Sequence, residues 1–423
     1  MSRPGPLLCL LSMFFLLACQ NPEEASPDQT QGLSARFVIR QSYPLDWQQD
    51  DELEMETGTG ALRVFALDEK GPRIEAEITA FAKSEVEAKA AAESVHIEIL
   101  KRGQTHQPKL SKDSHASWNP RHVLAISYTA YVPAGTSVRM RNTDGIHEVH
   151  GPFRGIYLSS RHGDLFLKDA EGPMKLETRH GKVTLQHIAG EEIEIDTWSG
   201  KVDLTQVEAR HLMVRTRDGD IRMEGVLAQK ILTRSSYGAM DLSGLRGDLI
   251  AQNKSGPIEI IGLTAGHHEI STTDGPIQIQ GATGDLEIHT TSAPIRVDDF
   301  RGEADLESLS GEIRVAGRFD QLRCSTKSGR ILARAAAGSK ADRPWRFMSR
   351  FGEISLGIRQ EFPFVLAMSS ESGSLENGLH LSKILSRDST SLRGKVGAGG
   401  EEIRLDSSRG KVRVYQIAAA KTR

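Results

Sequence analysis

Cysteine is scarce in this chain: three in 423 residues, at positions 9, 19 and 324. Cys9 and Cys19 belong to the N-terminal segment, so Cys324 has no intramolecular partner and a disulfide framework is excluded. A surplus of one charge is also missing. The formal net charge is −3 and the pI is near 6.6, which removes any overall electrostatic pull toward nucleic acid or an anionic membrane. Nucleic acid is therefore not an expected partner. The chain has no phosphate-binding glycine loop, no zinc-spaced cysteine set and no nucleophile elbow, and neither a cofactor nor a resident metal is expected. The Gly-Lys-Val triplets at Gly181, Gly200, Gly394 and Gly410 are turns of a repeat.

What is present begins at the N-terminus. One positive charge, Arg3, precedes an apolar run from Leu7 to Leu17, which has the length of an export signal and is too short to span a bilayer. The run ends in Leu16-Leu17-Ala18-Cys19, which resembles the bacterial lipobox. That resemblance implies a signal peptide over 1–18, cleavage before Cys19 and acylation of Cys19, so a membrane is the expected partner through an N-terminal lipid. Gln20 stands where the resemblance associates Asp with inner-membrane retention, which points to the outer membrane. Residues 19–33 contain NPEEASPDQTQG, with two prolines, three acids and no apolar periodicity, the composition of a solvated tether.

From Asn142 onward one phrase returns: a small polar residue, two variable positions, glycine, one variable position, then aliphatics two apart. Thr178-Arg-His-Gly181-Lys-Val183-Thr-Leu185 and Ser308-Leu-Ser-Gly311-Glu-Ile313-Arg-Val315 are two of its occurrences. The glycine column runs from Gly145 to Gly410, with only Ala293 breaking it, and its spacing is 18 or 19 residues as far as Gly329. Three residues before each member stands Asn, Ser or Thr. Glycines at half-period, such as Gly172, Gly247 and Gly284, divide each period into two short strands and two turns. A fixed period of this length signals a repeat architecture. The sequence predicts an all-β fold over 142–416, a parallel β-solenoid of about fifteen rungs of 18–19 residues, with one aliphatic face turned inward. At ~4.8 Å per step such a rod is roughly 67 Å long. The chirality rule for parallel connections favours a right-handed coil. The turn glycines are expected to supply positive φ, and the Asn/Ser/Thr column to form a ladder of like side chains bonded rung to rung. Cys324 falls in the inward phase and reads as a small buried hydrophobe.

Residues 34–141 differ. They form a β-rich region with alternating segments at 36–40, 74–81, 95–99 and 123–140 and one helix over 84–94, capped by Ser84. Thr57-Gly-Thr-Gly60-Ala-Leu62-Arg-Val64 repeats the rung phrase alone, so this region is expected to cap the first edge of the stack. Residues 102–121 read as a polar loop, 338–346 as an insertion between rungs, and 417–423 as a tail. His147 occupies an inward position of the Gly145 rung where an aliphatic belongs, and the Gly373 and Gly394 rungs are weak.

The lipobox, the β-rich leader closing in Tyr131-Val132-Pro133-Ala134-Gly135 and the serial rungs together resemble the bacterial β-strand-repeat family labelled "putative adhesin", a domain of unknown function. The resemblance covers roughly residues 34–416. It implies architecture and little about activity, and it brings no catalytic residues with it.

Function then falls to the outward columns. Two residues before the column glycines stand Arg161, Arg179, Trp198 and Arg217, followed by Lys254, Lys327 and Arg350; one residue before them stand His162, His180, Asp218 and Tyr237. An exposed Trp between guanidiniums can stack on a sugar while the arginines hold an anion. Arg161, Arg179, Trp198, Arg217 and Tyr237 are thus the candidate ligand-binding residues, and a glycan or another envelope polymer the candidate ligand. The plainer reading is that Arg and Trp pack on each other. Asp144, His162 and His180 share a column and are chemically suitable for a metal, but a column spreads donors along a line. Asp241 and Glu259 on adjacent rungs offer a carboxylate pair of the glycosidase kind, although Asp203, Arg222 and Asp241 read equally as a salt-bridge ladder. The expectation is a non-enzymatic envelope lipoprotein for adhesion or scaffolding. The alternatives are an envelope carbohydrate-active enzyme and a ligand-free spacer.

Overall fold

The computed structural model describes residues 33–111, 123–264, 266–359 and 361–417. The export segment, Cys19 and the tether up to residue 32 lie outside them.

Each turn is built by alternation. In the strand Val183–Thr197 the side chains of Val183, Leu185, Ile188, Ile193 and Ile195 are buried, while the residues between them face outward. The next strands, Val202–Arg215 and Ile221–Arg234, pair with it in parallel and in register, Val183 on Val202 on Ile221. The inward column continues through Met240, Ile258, Ile277, Ile295, Ile313, Ile331 and Ile354. Each such side chain contributes roughly 1.5–3 kcal/mol of burial before entropy is counted, so the stack is a continuous aliphatic core with a backbone ladder on its outside.

The corner that follows the inward strand explains the repeated phrase. Thr178 is buried, and its Oγ1 accepts the N–H of Gly181 at 3.1 Å; the same bond recurs from Gly163 to Ser160, Gly200 to Thr197 and Gly311 to Ser308. Between rungs, Thr178 Oγ1 donates to the carbonyl of Gly163 at 3.2 Å, and Asn253 Nδ2 donates to that of Gly238 at 2.8 Å. The expected side-chain ladder is thus a side-chain-to-backbone link, which satisfies buried peptide groups at a bend where no strand partner can. The glycine has a different purpose from the one its type suggested. From Gly163 onward the column glycines do not have positive φ; instead, a Cβ on Gly181 would lie 1.8 Å from the carbonyl oxygen of Gly163. Close approach selects glycine here. Positive φ belongs to the half-period glycines Gly172, Gly247, Gly266, Gly284 and Gly302, and to a further column that mixes residue types: Asp169, His187, Gln206, Gly225, Gly244, Gly262, Gly281 and Asp299.

The N-terminal region closes one end. Strands β1 (Ala35–Pro44), β2 (Glu52–Glu56), β3 (Leu62–Ala66) and β4 (Arg73–Ala82) precede helix α1 (Glu85–Glu93), whose cap Ser84 accepts from the N–H of Glu87. Then come β5 (Ile97–Arg102), β6 (Thr105–Leu110), β7 (Val123–Val132) and β8 (Ser137–Arg141). Residues expected as polar loop therefore include strand β6, while 112–122 lie outside the described residues. Strands β2 and β3 form a first turn through Gly60, onto which Gly145 stacks. Its open side is covered by β6 on β2 and β7 on β3, and β7 continues into an antiparallel sheet, β1–β4–β7, with α1 against β1 and β4.

The other end departs from the expected series. Turns marked by Gly145 through Gly352 follow in chain order, twelve of them including Ala293. Beyond, the last turn in sequence is inserted: Glu402–Ser407 pairs with Trp345–Ser349 on one side and Phe364–Ser370 on the other, so Gly410 stacks on Gly352 and Gly373 on Gly410. Gly394 marks no rung. The chain after it, Lys395-Val396-Gly397-Ala398-Gly399, lacks a pair of aliphatics to turn inward. Its strand Ser391–Val396 runs antiparallel between Phe364–Ser370 and Lys383–Arg387, and Ser391 bonds Asp388 in place of a glycine N–H. The expected fifteen consecutive rungs are reduced accordingly.

Candidate binding groove

The residues on either side of the buried corner point outward and form two parallel walls along the rod. Over the lower turns the walls are thick. Trp198 and Arg217 stack, with the guanidinium 4.6 Å from the ring centroid, and Arg215 bridges Glu194 and Asp196 at 3.0 and 3.4 Å. The packing of Arg on Trp, the plainer expectation, is therefore present. Trp198 and Tyr237 nevertheless remain half exposed, Lys254 approaches the Tyr237 ring at 5.8 Å, and Arg161 and Arg179 are exposed on the same edge.

Above Asn253 the outward positions become mixed, with short Ser271, Thr273, Thr291 and Ser325 among the longer His289, Glu307, Leu309, Lys327, Met348 and Arg350, and the corner becomes the floor of a groove of about 920 Å³. Seven corner residues line it, from Asn253 through Thr272, Thr290, Ser308, Thr326 and Ser349 to Ser407. Six steps of ~4.8 Å make it roughly 29 Å long. The groove is not legible in the sequence because it depends on how side chains of several rungs stand together; the available signal was Thr273 and Thr291 in the column that carries Arg179, Trp198 and Arg217 lower down.

Charge in the groove is mixed and mostly paired. His289 Nε2 meets Glu287 at 2.7 Å and its Nδ1 meets Glu307 at 3.3 Å. Partial burial favours neutral imidazole, but the hydrogen bond donated to Glu287 and the charges of Glu287, Glu307 and Asp305 outweigh it, so its pKa stands above the ordinary value. Arg404 pairs with Asp406 at 2.6 Å, and Ser369 donates to the same carboxylate at 2.6 Å. Lys327 and Arg350 also line the groove, with Leu309 and Met348 as exposed apolar contacts.

The other constellations are not gathered into a centre. Asp144 holds His162 Nδ1 at 2.9 Å, Ser199 holds His180 Nδ1 at 2.8 Å, and the two imidazoles stack with centroids 5.3 Å apart. Stacked rings direct their nitrogens side by side, so they cannot converge on one ion. Among the described residues no group of three His, Cys, Asp or Glu could hold a metal. Asp241 and Glu259 are register neighbours, but Asp241 faces Arg222 at 4.0 Å with both side chains 58% exposed, and neither carboxylate lines the groove. Cys324 is buried in the inward phase, and burial pushes its thiol well up, which leaves it inert. His147 is fully buried with both ring nitrogens unpartnered, and burial lowers its pKa to about 3.

Fold and groove together define an all-β solenoid that presents a long repetitive surface. The chain belongs to the Toastrack DUF4097 family, whose model matches residues 73–248 and 248–415. No curated protein matches the sequence. Among solved structures, a "putative cell adhesion protein" from Clostridium sporogenes ATCC 15579 aligns over 90% of this chain and 100% of its own at 7% identity and a TM-score of 0.18. A "putative adhesin" from Bacteroides fragilis NCTC 9343 aligns over 70% and 97% at 14% identity and 0.22. A "putative lipid binding protein" from Parabacteroides distasonis ATCC 8503 aligns over 74% and 97% at 11% identity and 0.26. At these scores the likenesses carry no argument about function.

Proposed function

We propose that this chain is a non-enzymatic lipoprotein of the cell envelope, anchored through Cys19 at the outer membrane, whose solenoid holds a linear envelope polysaccharide along its corner groove. The observation that carries the reading is the groove itself. Its seven-rung length, its polar walls and its shallow, open form suit an extended chain of hydroxylated units bound without bond cleavage. Trp198 and Tyr237 lie on the same edge below the groove, where a longer polymer would meet two aromatic faces; Arg161, Arg179 and Arg217 flank them. Adhesion or scaffolding then follows from many weak contacts along one polymer.

The test is affinity electrophoresis of the mature protein through gels cast with soluble envelope polysaccharides, beside a Thr273→Trp/Thr291→Trp variant that fills the groove. Retardation of the wild type and its loss in the variant is the expected outcome. Free migration of the wild type, or equal retardation of both, overturns the reading. Protease digestion on intact cells, compared with cells whose outer membrane has been opened, reports which face of the membrane carries the rod.

A further inference from the structure

Several arginines on the outer faces have a carboxylate beside them: Arg330 has Glu312 at 2.8 Å, Arg393 has Glu402 at 2.9 Å, and Arg404 has Asp406 at 2.6 Å. At the upper end of the groove three cations without such a partner among the described residues gather on adjacent turns. The N–H of Phe351 donates to the carbonyl of Lys327 at 3.0 Å, and the N–H of Arg409 donates to that of Arg350 at 3.2 Å. These bonds set three exposed cations on the stacked Gly329, Gly352 and Gly410 turns. Phe351, 40% exposed, lies among them, with the guanidinium carbons of Arg350 and Arg409 at 5.1 and 5.2 Å from its ring centroid. No carboxylate of a described residue forms an ion pair with Lys327, Arg350 or Arg409. Like charges on neighbouring strands repel, and no paired carboxylate offsets that repulsion here.

We infer that Lys327, Arg350 and Arg409, arrayed around Phe351, form an anion subsite at the upper end of the groove, and that the bound polymer is an acidic polysaccharide. This rests on the groove as the polymer's seat. Guanidinium forks match a carboxylate or a phosphate equally, and the aromatic face holds the forks in place without neutralising them. Lys327 and Arg350 line the groove, so a polymer lying on the Ser and Thr floor carries its acidic substituents past them. Glu371, stacked on the Gly410 turn through its N–H to the Ser407 carbonyl, stands beyond Arg409 and repels a further acid there. The acidic group is thereby confined to one register along the groove.

The experiment measures binding of the mature wild type, Lys327→Gln/Arg350→Gln/Arg409→Gln, and Thr291→Trp to four probes: polygalacturonate, poly(glycerol phosphate), neutral dextran and phosphatidylglycerol vesicles. All substituted positions are exposed or lie in the open groove, and circular dichroism with a melting curve checks that the fold persists. The expected result is at least tenfold tighter binding of one or both acidic polymers than of dextran. The triple substitution should abolish that preference, and Thr291→Trp should abolish retention of every polymer. Which acidic polymer binds distinguishes carboxylate from phosphate. Equal affinity for dextran, an unchanged triple variant, or binding to vesicles alone overturns the inference. If dextran binds as well as the acids and Thr291→Trp still abolishes both, the groove stands and the acid subsite falls. If the wild type retains no polymer, both fall.

Discussion

Two stretches of one corner share a backbone and differ in what stands on it. Between Ser160 and Ser235 the outward positions carry Arg161, Arg179, Trp198 and Arg217; between Thr272 and Thr326 they carry Thr273, Thr291 and Leu309. The corner beneath is the same in both, a buried Ser or Thr accepting the glycine N–H three residues on, at 3.0 Å in Thr197–Gly200 and 2.7 Å in Ser308–Gly311. The fold is thus independent of the residues that shape the surface. A solenoid can open or close a groove by substitution on its outside without disturbing the ladder within.

That separation can be broken most severely from inside. A Cβ on Gly200 or Gly311 would lie 1.8 Å from the carbonyl oxygen of the turn below, Gly181 and Ala293 respectively. Gly200→Val and Gly311→Val should each cost roughly 3 kcal/mol, and by equal amounts if the two stretches share one scaffold. Denaturant midpoints measure this; a Gly311 variant that unfolds no earlier than wild type would show that the upper corner is not built like the lower one. Ala293 shows that the column yields to a methyl at one place, so valine is the sharper probe.

The inward histidines sharpen the comparison next. His268, in the upper turns, reaches the carbonyl of Thr283 at 3.2 Å, whereas His147, in the lowest of the consecutive turns, has no partner for either nitrogen. His147→Leu should therefore stabilise the protein by about 2 kcal/mol. Its pH signature has a definite sign. The folded pKa is depressed to about 3 by burial, while the unfolded chain takes up the proton near the ordinary value of about 6.5. The unfolded state thus holds more protons throughout that interval, and stability falls as pH drops from about 6.5 toward 3. Melting temperatures across the range should show this acid limb weaken in His147→Leu; an unchanged limb would assign it elsewhere.

The outer walls come third. Thr291→Trp brings to the upper stretch the bulk that Trp198 gives the lower one, and should take polysaccharide retention below detection, a loss of at least about tenfold, or roughly 1.4 kcal/mol. The double change Trp198→Ala/Tyr237→Ala should do less, about threefold and only with polymers longer than the groove, because each aromatic face adds a peripheral stacking contact. Titration with short and long fractions of one polysaccharide separates the two. Equal losses on short fragments would move the seat of binding from the groove to the Trp198 edge.

How far the sequence disclosed this follows the physics of each column. Glycine and Ser/Thr recur at the corner because close approach and a buried N–H exclude other residues, so the period could be read directly. The left-handed column was hidden because Asp169, His187, Gln206 and Gly225 all adopt its backbone angles, and no one residue type marks it. The insertion of the Gly410 turn was equally hidden. Ile403, Leu405, Val412 and Val414 are as good a neighbour for the Gly352 turn as Leu366 and Met368 would be, so local pattern does not encode the order of stacking. For the site, Trp198 stands out in the sequence as a large exposed side chain, whereas the groove opens where the short Thr273 and Thr291 take its column. Lys327 and Arg350 were visible as outward cations, but their lack of carboxylates depends on neighbours from distant rungs.

The smallest expected effect joins stability to binding. His289 sits among Glu287, Glu307 and Asp305 with its pKa raised above the ordinary value, the opposite sign from His147. Its stabilising contribution is fully present below the unfolded value of about 6.5 and is lost as pH rises through the folded one. Since the side chain is 42% exposed, solvent screening keeps the effect on melting small. The wild type should melt slightly above His289→Asn near pH 6, and the difference should vanish at mildly alkaline pH. The same deprotonation leaves Glu287 and Glu307 without their shared cation beside the groove. An acidic polymer should then bind more weakly as pH rises, and dextran should not respond; a pH-independent affinity for polygalacturonate would separate the His289 cluster from the groove's ligand altogether.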